Sequence, residues 1–474
     1  MLLALVLVPI AFALAALLVP GARGRAWLVP AGAVVHAALA AYAAIEPPPA
    51  MFEGWLDMGP LGRVILPLIS AQFLACAFYV PGYLALRAER ANRVFCACLL
   101  ALLASMSLVT VSHHLGLMWV AIESATLATA PMIYFTRNQR SLEAIWKYLL
   151  IGSVGIAFAL FGSFFLASAA LHKGLSSTLL FEDLVRDAPH LSKAWLHAAF
   201  VLLLVGYGTK IGLAPMHTWK PDVYGESPGV VGALLSGGVT TCAFVALIRV
   251  LQIVNAADDG ELARTLLLVF GLLSIGVAGA FMIRQRDFKR MLAYSSVEHM
   301  GVVAVGLGVG GLGTYGALLH LINNSFGKGV LFMAAGNIHR VFGTKLVAEV
   351  GGAVRRVPAS GGLLLTGFFA ITGSPPFGLF ISELAILQAA FGSGQYWVGA
   401  TFLALLAAVF IGMGATVTRV VQGAPTAGVR EKEPLLTILP ALACLGVLLV
   451  LGIYIPHWLE DALRHAAAFV EMSP

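Results

Sequence analysis

Apolar residues run along this chain in stretches of about twenty, separated by short turns that collect Gly, Pro and Arg. Fourteen such stretches occupy about 2–20, 26–46, 61–86, 93–112, 115–135, 143–171, 194–214, 228–254, 263–283, 291–310, 314–340, 360–391, 396–422 and 434–456. A helix needs about 20 apolar residues to cross hydrocarbon, so the pattern predicts an all-α polytopic membrane protein with about 14 transmembrane helices. The first stretch has the Leu, Ala and Val content of a secretory leader but no basic segment before it, and it is read as a retained helix. The longest polar interval, 172–193, is too short for a soluble domain, and little chain follows Pro456.

Two stretches are interrupted by helix breakers. The seventh closes on "GTKIGLAPMH" (208–217), and the twelfth reads "ITGSPPFGLFISELAILQ" (371–388). An offset of five helices reverses orientation. The fourth to eighth stretches (93–254) and the ninth to thirteenth (263–422) are therefore read as two inverted five-helix repeats in one membrane domain, each with one broken helix. That arrangement is a pointer to an ion or substrate path at mid-membrane.

Composition fits this picture. Hydrophobic residues make up 59% and charged residues only 11%, against about 25% charged in a soluble domain. Of 29 Lys and Arg, nineteen fall in turns on one side of the alternating topology and seven on the other. The positive-inside rule then sets the chain in the plasma (inner) membrane with both termini on the outer face. The same bias accounts for the net charge of +6, so lipid, and not nucleic acid, is the expected surrounding. The five cysteines show no CxxC pair, and Cys96 and Cys98 point to different sides of a helix. They are read as packing residues, and no metal or other cofactor is expected.

Three lysines remain inside stretches: Lys147, Lys210 and Lys328. Glu123 lies about eight residues into the fifth stretch, roughly 12 Å deep at 1.5 Å per residue. Glu383 follows the second break; Glu298 and His299 open the tenth stretch; His320 precedes Lys328 by eight residues. A charge in hydrocarbon costs about 2.5–3.5 kcal/mol on insertion scales, so each of these asks for a partner or for water. Static ion pairs holding helices in register are one account. Against it, the ionisable groups spread over both repeats, two of them flank the breaks, and they are Lys, Glu and His, which change charge readily, in place of Arg. Glu123, Lys147, Lys210, His320, Lys328 and Glu383 are accordingly read as a water-linked proton relay, with His217, Thr241, Glu298 and His299 as secondary members. His113, His114 and His217 lie near helix ends, where a hydrated surface histidine is the simpler account, and the adjacent His113 and His114 splay apart and cannot pair on a haem.

Three segments, "KIGLAPMHTWKPDVYGESPGVVGALLSG" (210–237), "DFKRMLAYSSVEHMG" (287–301) and "SPPFGLFISELAIL" (374–387), together resemble the antiporter-like subunit family shared by complex I, Mrp-type cation antiporters and membrane-bound hydrogenases. "YSSVEHMG" brings the chain nearest the hydrogenase-4 component F branch. The resemblance implies a fourteen-helix fold of two inverted repeats with a hydrated axis that moves protons. It matches Glu123 to the family's fifth-helix glutamate, Lys210 to the seventh-helix lysine that pairs with it, Lys328 to the eleventh-helix base and Glu383 to the terminal acid.

Three departures qualify the match. The usual eighth-helix lysine falls at Thr241, so a link from Lys210 to Lys328 is expected to run through water, Thr240, Thr241 or His320. The family's "WLPDAH" reads "WKPDVY", which replaces a histidine by Tyr224 and adds Lys220, counted among the inner turns. The long lateral arm of the family's largest member is absent from the sequence. The resemblance implies a proton-translocating subunit of a hydrogenase-4, formate-hydrogenlyase or complex I type oxidoreductase. Its partners would be other antiporter-like and small membrane subunits and a peripheral redox module with Fe–S clusters, such as a NiFe hydrogenase-like one. A cation/proton antiporter subunit without electron transfer, or a non-transporting scaffold, are the alternatives.

Overall fold

The computed structural model describes residues 1–424 and 429–472. Among them the regular structure is helical, with β-bridges only at isolated turns. The chain runs through α1 (Leu2–Leu18), α2 (Ala22–Ile45), α3 (Pro60–Ala85), α4 (Arg93–Val111), α5 (Leu115–Ile133) and α6 (Gln139–Leu171). It continues through a short loop helix α7 (Phe181–Asp187), then α8 (Lys193–Ile211), α9 (Lys220–Glu226), α10 (Gly229–Leu234) and α11 (Thr240–Ala256). Next come α12 (Glu261–Met282), α13 (Phe288–Val309), α14 (Leu312–Phe342) and the single turn α15 (Ala353–Arg356). The last elements are α16 (Pro358–Ile371), α17 (Gly378–Gly392), α18 (Tyr396–Gln422), α19 (Leu439–Ile453) and α20 (His457–Glu471).

Each of the fourteen apolar stretches lies on helix. Among the described residues ten helical spans are long and apolar enough to cross a membrane, α10 and α11 counting together as one, and an eleventh arises if α19 and α20, bent by 79°, count as one. Of the remaining stretches, α1 has only 17 residues, the twelfth divides into α16 and α17, and α14, though 31 residues long, carries too many polar side chains to reach the same mean hydropathy. The break between those two opens at Gly373 (φ +66°), and the break after α8 opens at Gly212 (φ +76°). Left-handed backbone of this kind is strained for residues with a Cβ and open to glycine.

Two features go beyond the sequence reading. Between α10 and α11 the helix widens over Leu235–Val239 into a π-type turn. Gln72 of α3 enters there and donates to the carbonyl of Ala233 (2.9 Å), just before the widened turn, and to that of Ser325 on α14 (3.2 Å), tying the three helices together. Past Pro456 the chain forms α20, whose Leu459, Leu463, Ala466, Ala467 and Val470 are buried while Trp458 and Arg464 face outward.

The centre of the molecule is α10–α11, α13 and α14, buried on nearly every side. α6, α12 and α18 expose most of their apolar surface, as lipid-facing helices do. α14 carries Lys328, His320, Asn323, Asn324 and Ser325, all buried, so its polar side chains turn to the protein interior and leave the hydrocarbon to apolar ones.

Candidate functional site

Lys210 sits in the last turn of α8, one residue before Ile211 and the Gly212 break. Its Nζ donates to Glu123 Oε2 of α5 (3.0 Å) and to Thr126 Oγ1, one helical turn further along α5 (2.7 Å). Small residues on α6 make this approach possible: a Cβ at Gly152 would press on Lys210 Nζ, and one at Gly155 on Thr209. Close packing of this kind is the usual role of glycine between membrane helices. The ammonium lies 5.9 Å from the ring centroid of Tyr148, whose hydroxyl bonds Thr129 Oγ1 at 2.8 Å. The pair expected from the sequence is thus formed, with Lys210 almost wholly buried and Glu123 partly open.

Lys147 departs from expectation. It was assigned to the buried relay, but its side chain is 42% exposed and reaches Glu143 (2.6 Å) and Asp222 (2.8 Å). The reason is its place near the start of α6, with Glu143 one turn before it and Asp222 opposite, so its long stem carries the charge to the surface. Asp222 also pairs with Arg290, and together with Glu226, Asp287 and Lys345 these groups line a polar cavity of about 570 Å³ on the face of the basic turns.

Lys220 departs in the opposite direction. Counted with the inner turns, it is fully buried. After the break at Gly212 the chain re-enters as α9, and the lysine at its first position points inward, its Nζ donating to Ser296 Oγ of α13 at 3.1 Å. Ser236 of the widened turn donates to the same Ser296 oxygen at 2.9 Å. The signal that would have revealed it is its place next to the break, followed by Pro221 at a helix start.

The second cluster is a file of close neighbours. Lys328 of α14 donates to Ser295 Oγ (2.7 Å), which lies 3.4 Å from Glu298 Oε2. Glu298 stands 3.3 Å from His299 Nε2, near enough for charge pairing but without a hydrogen bond, since that nitrogen has no hydrogen-bond partner among the described residues. His299 Nδ1 and His320 Nε2 share a hydrogen at 3.0 Å, and His320 Nδ1 meets Ser382 Oγ of α17 at 2.9 Å. Glu383 follows, its carboxylate folded over Gly373, where a Cβ would displace it, and its Oε1 buried without a hydrogen-bond partner among the described residues. Glu383 faces His299 and His320, the ligand atoms of the three lying within 4.8 Å of one another. Both nitrogens of His320 are already engaged within the file, so a metal drawn to this trio would have to break it.

Thr241 is buried, but its hydroxyl is spent on Gly237 O at 2.5 Å, and Thr240 bonds Ser236 O in the same manner. Neither hydroxyl joins the two clusters. His217, in the loop after the break, is mostly buried beside Tyr294 (6.2 Å between rings), with Nδ1 unpartnered among the described residues.

The reading of His113 and His114 as hydrated surface groups is also corrected. His113 is buried against the Arg249 guanidinium at 2.8 Å, with Asp57 at 3.9 Å. His114 stacks on Trp55 at 4.1 Å and caps α5 by accepting from the N–H groups of Gly116 and Leu117. The chain between α6 and α8 closes over both: Phe181 N–H donates to His113 O and Leu115 N–H to Leu179 O. Asp57, His113 and Glu182 also converge as donor atoms, but the guanidinium already supplies a cation there.

The family model described as NADH:quinone oxidoreductase/Mrp antiporter, TM, matches residues 112–411. Over 379 residues the chain is 35% identical to a hydrogenase-4 component F homolog of Methylacidiphilum infernorum, covering 78% of each chain. Over 439 residues it is 29% identical to NADH-quinone oxidoreductase subunit N of Desulforudis audaxviator, covering 89% of this chain and 85% of that one. Its fold is similar to a chain in the structure of the membrane-bound sulfane sulfur reductase, an archaeal respiratory membrane complex. The TM-score is 0.89 at 20% identity, over 99% of this chain and 97% of the other.

Proposed function

Because the chain belongs to the membrane-subunit family of NADH:quinone oxidoreductases and Mrp antiporters, we propose that it is a proton-translocating subunit of a multi-subunit oxidoreductase complex. Its partners are then other antiporter-like and small membrane subunits and a peripheral redox module. The observation that carries this reading is the buried file from Lys328 through Ser295, Glu298, His299 and His320 to Ser382. Each ionisable member is a group that gains and loses a proton, and neighbours stand at hydrogen-bond distance or within 3.4 Å.

Its chemistry favours H⁺ over Na⁺. A hard cation is held by six or so oxygen ligands, whereas the file is built around an amine and two imidazoles. The Lys210–Glu123 pair begins the axis on the first-repeat side and Glu383 ends it on the second. Support for two repeats, 93–254 and 263–422, comes from the two glycine breaks, each with an ionisable side chain laid across it: Lys220 at Gly212 and Glu383 at Gly373. With Lys220 set aside as buried, the other eighteen basic residues of the inner turns support an outer location of both termini in the plasma membrane.

The test is proton uptake by the purified complex in liposomes holding a pH-sensitive dye, driven by a potassium diffusion potential in sodium-free buffer. Lys210→Ala and Lys328→Ala are each expected to remove roughly 10²-fold or more of the flux, the usual worth of a positioned proton donor and acceptor, with the complex still assembled. Undiminished flux in both variants would reduce the chain to a scaffold, and flux that appears only with sodium would make it a cation antiporter subunit.

A further inference from the structure

The two clusters leave an interval between them, and the residue that fills it is Lys220. We propose that Lys220 carries the proton across the middle of the axis, in place of the eighth-helix lysine that this chain lacks. The proposal rests on the proton-translocation reading above.

Four observations support it. Lys220 is fully buried, and its one side-chain hydrogen bond among the described residues goes to a hydroxyl, Ser296 Oγ, with no salt bridge. A buried ammonium is costly without a counter-charge, and a lysine kept only to clamp helices would be matched to a carboxylate. An amine held by a hydroxyl is free to exist with or without its proton.

The position is also intermediate. Ser296 and Ser295 are adjacent on α13; the first takes Lys220 and the second takes Lys328. On the other side, an aromatic row spans the distance to Lys210. Tyr148 lies 5.1 Å from Trp219, and Trp219 lies 6.0 Å from Tyr224. Lys210 stands over the first ring at 5.9 Å and Lys220 over the last at 5.7 Å. The Tyr224 hydroxyl is buried and unpartnered among the described residues, the condition of a group that binds internal water.

Room for the side chain is built in as well. At Gly212, with φ +76°, any Cβ would overlap the end of Lys220. The first break therefore serves Lys220 more directly than Lys210, whose ammonium rests against Gly152 of α6. Finally, the residue that aligns with the family's lysine, Thr241, has its hydroxyl tied to Gly237 O.

The step itself is a proton exchange: the free amine of Lys220 takes a proton from the Lys210 side, becoming an ammonium, and returns it toward Lys328. No electron moves and no co-reactant is needed.

The experiment uses the intact complex in the same liposome assay, with Lys220→Met, Lys220→Arg and Lys220→His, and with Lys210→Ala as the reference. Met keeps length without a base, and Arg keeps the charge but does not release it. Both are expected to lower flux roughly 10²-fold or more in an assembled complex. Lys220→His is expected to retain part of the flux with its optimum moved to lower pH, since imidazole titrates near 6.5 and an amine near 10.4. A residue of purely structural importance would not move that profile. Wild-type flux in Lys220→Met, or in Lys220→Arg should the Met variant not assemble, overturns the proposal. If Lys210→Ala abolishes flux in the same series, the proton-translocation reading survives that failure. Undiminished flux in Lys210→Ala would sink the reading itself.

Discussion

Glu123 is held by Lys210 at 3.0 Å, and the ammonium by Thr126 at 2.7 Å. Glu123→Gln therefore leaves a buried lysine with neutral partners only. Flux is expected to fall by tenfold or more, about 1.4 kcal/mol in barrier, while a length-matched amide preserves assembly; initial rates of dye quenching against complex recovered by gel filtration measure both. At the start of α5, His114 caps the helix through an unprotonated Nδ1. Burial holds its imidazole below the ordinary histidine range. The cap is thus fully present above the ordinary value near 6.5 and is lost as pH falls through the lowered one. The protection of the Gly116 and Leu117 amides from hydrogen exchange, taken against the intrinsic rate at each pH, should fall on acidification, and His114→Asn, whose amide oxygen caps at any pH, should remove that dependence.

At the scale of elements, the two glycine breaks are the places where a methyl group does most harm. Gly212→Ala puts a Cβ into Lys220 and Gly373→Ala puts one into Glu383, each also in left-handed backbone. Both variants are expected to lose stability by about 1–2 kcal/mol from the backbone alone and to lose flux by far more, because the displaced groups lie on the axis. Thermal unfolding and flux of the same preparation separate the two effects. The widened turn at Leu235–Val239 gives a third test. Gln72→Leu strips the donor from Ala233 O and Ser325 O, an expected cost of about 1–3 kcal/mol, read as a lowered Tm.

For the whole molecule the testable property is orientation. A cysteine at Arg286, exposed in the 284–290 turn, should resist an impermeant maleimide in intact cells and react after lysis, and one at Lys173 should react in intact cells. Arg286 belongs to the nineteen-residue basic side and Lys173 to the other. The reverse pattern would invert the assignment of both termini and of the polar cavity around Asp222.

Fourteen apolar stretches, two breakers and the Glu123–Lys210 pair were legible in the sequence. Hydrocarbon thickness sets a period that the chain must repeat, and a buried charge or a Gly-Pro break stands out against it. Glu298, His299, His320 and Lys328 could be marked as candidates by the same contrast, but not their order. That Glu383 faces His299 and His320 and not Lys328, or that Ser295 and Ser296 each hold a different lysine, depends on how α13, α14 and α17 rotate against one another. Lys147 and Lys220 changed places for the same reason. Depth along a stretch can be counted, but the direction of a side chain is decided by where its helix begins and what lies opposite. Glu143 and Asp222 draw Lys147 outward near the start of α6, and the re-entry after Gly212 turns Lys220 to Ser296. The α20 helix was illegible because its apolar residues lie on one face and not in a run, and it finds its place only by folding against α3, α11 and α14. The sequence by itself determined that ionisable groups lie along the apolar stretches and must find partners or water; the tertiary structure decided which of them are buried and which meet, because contact across helices is set by rotation and packing that no single stretch encodes.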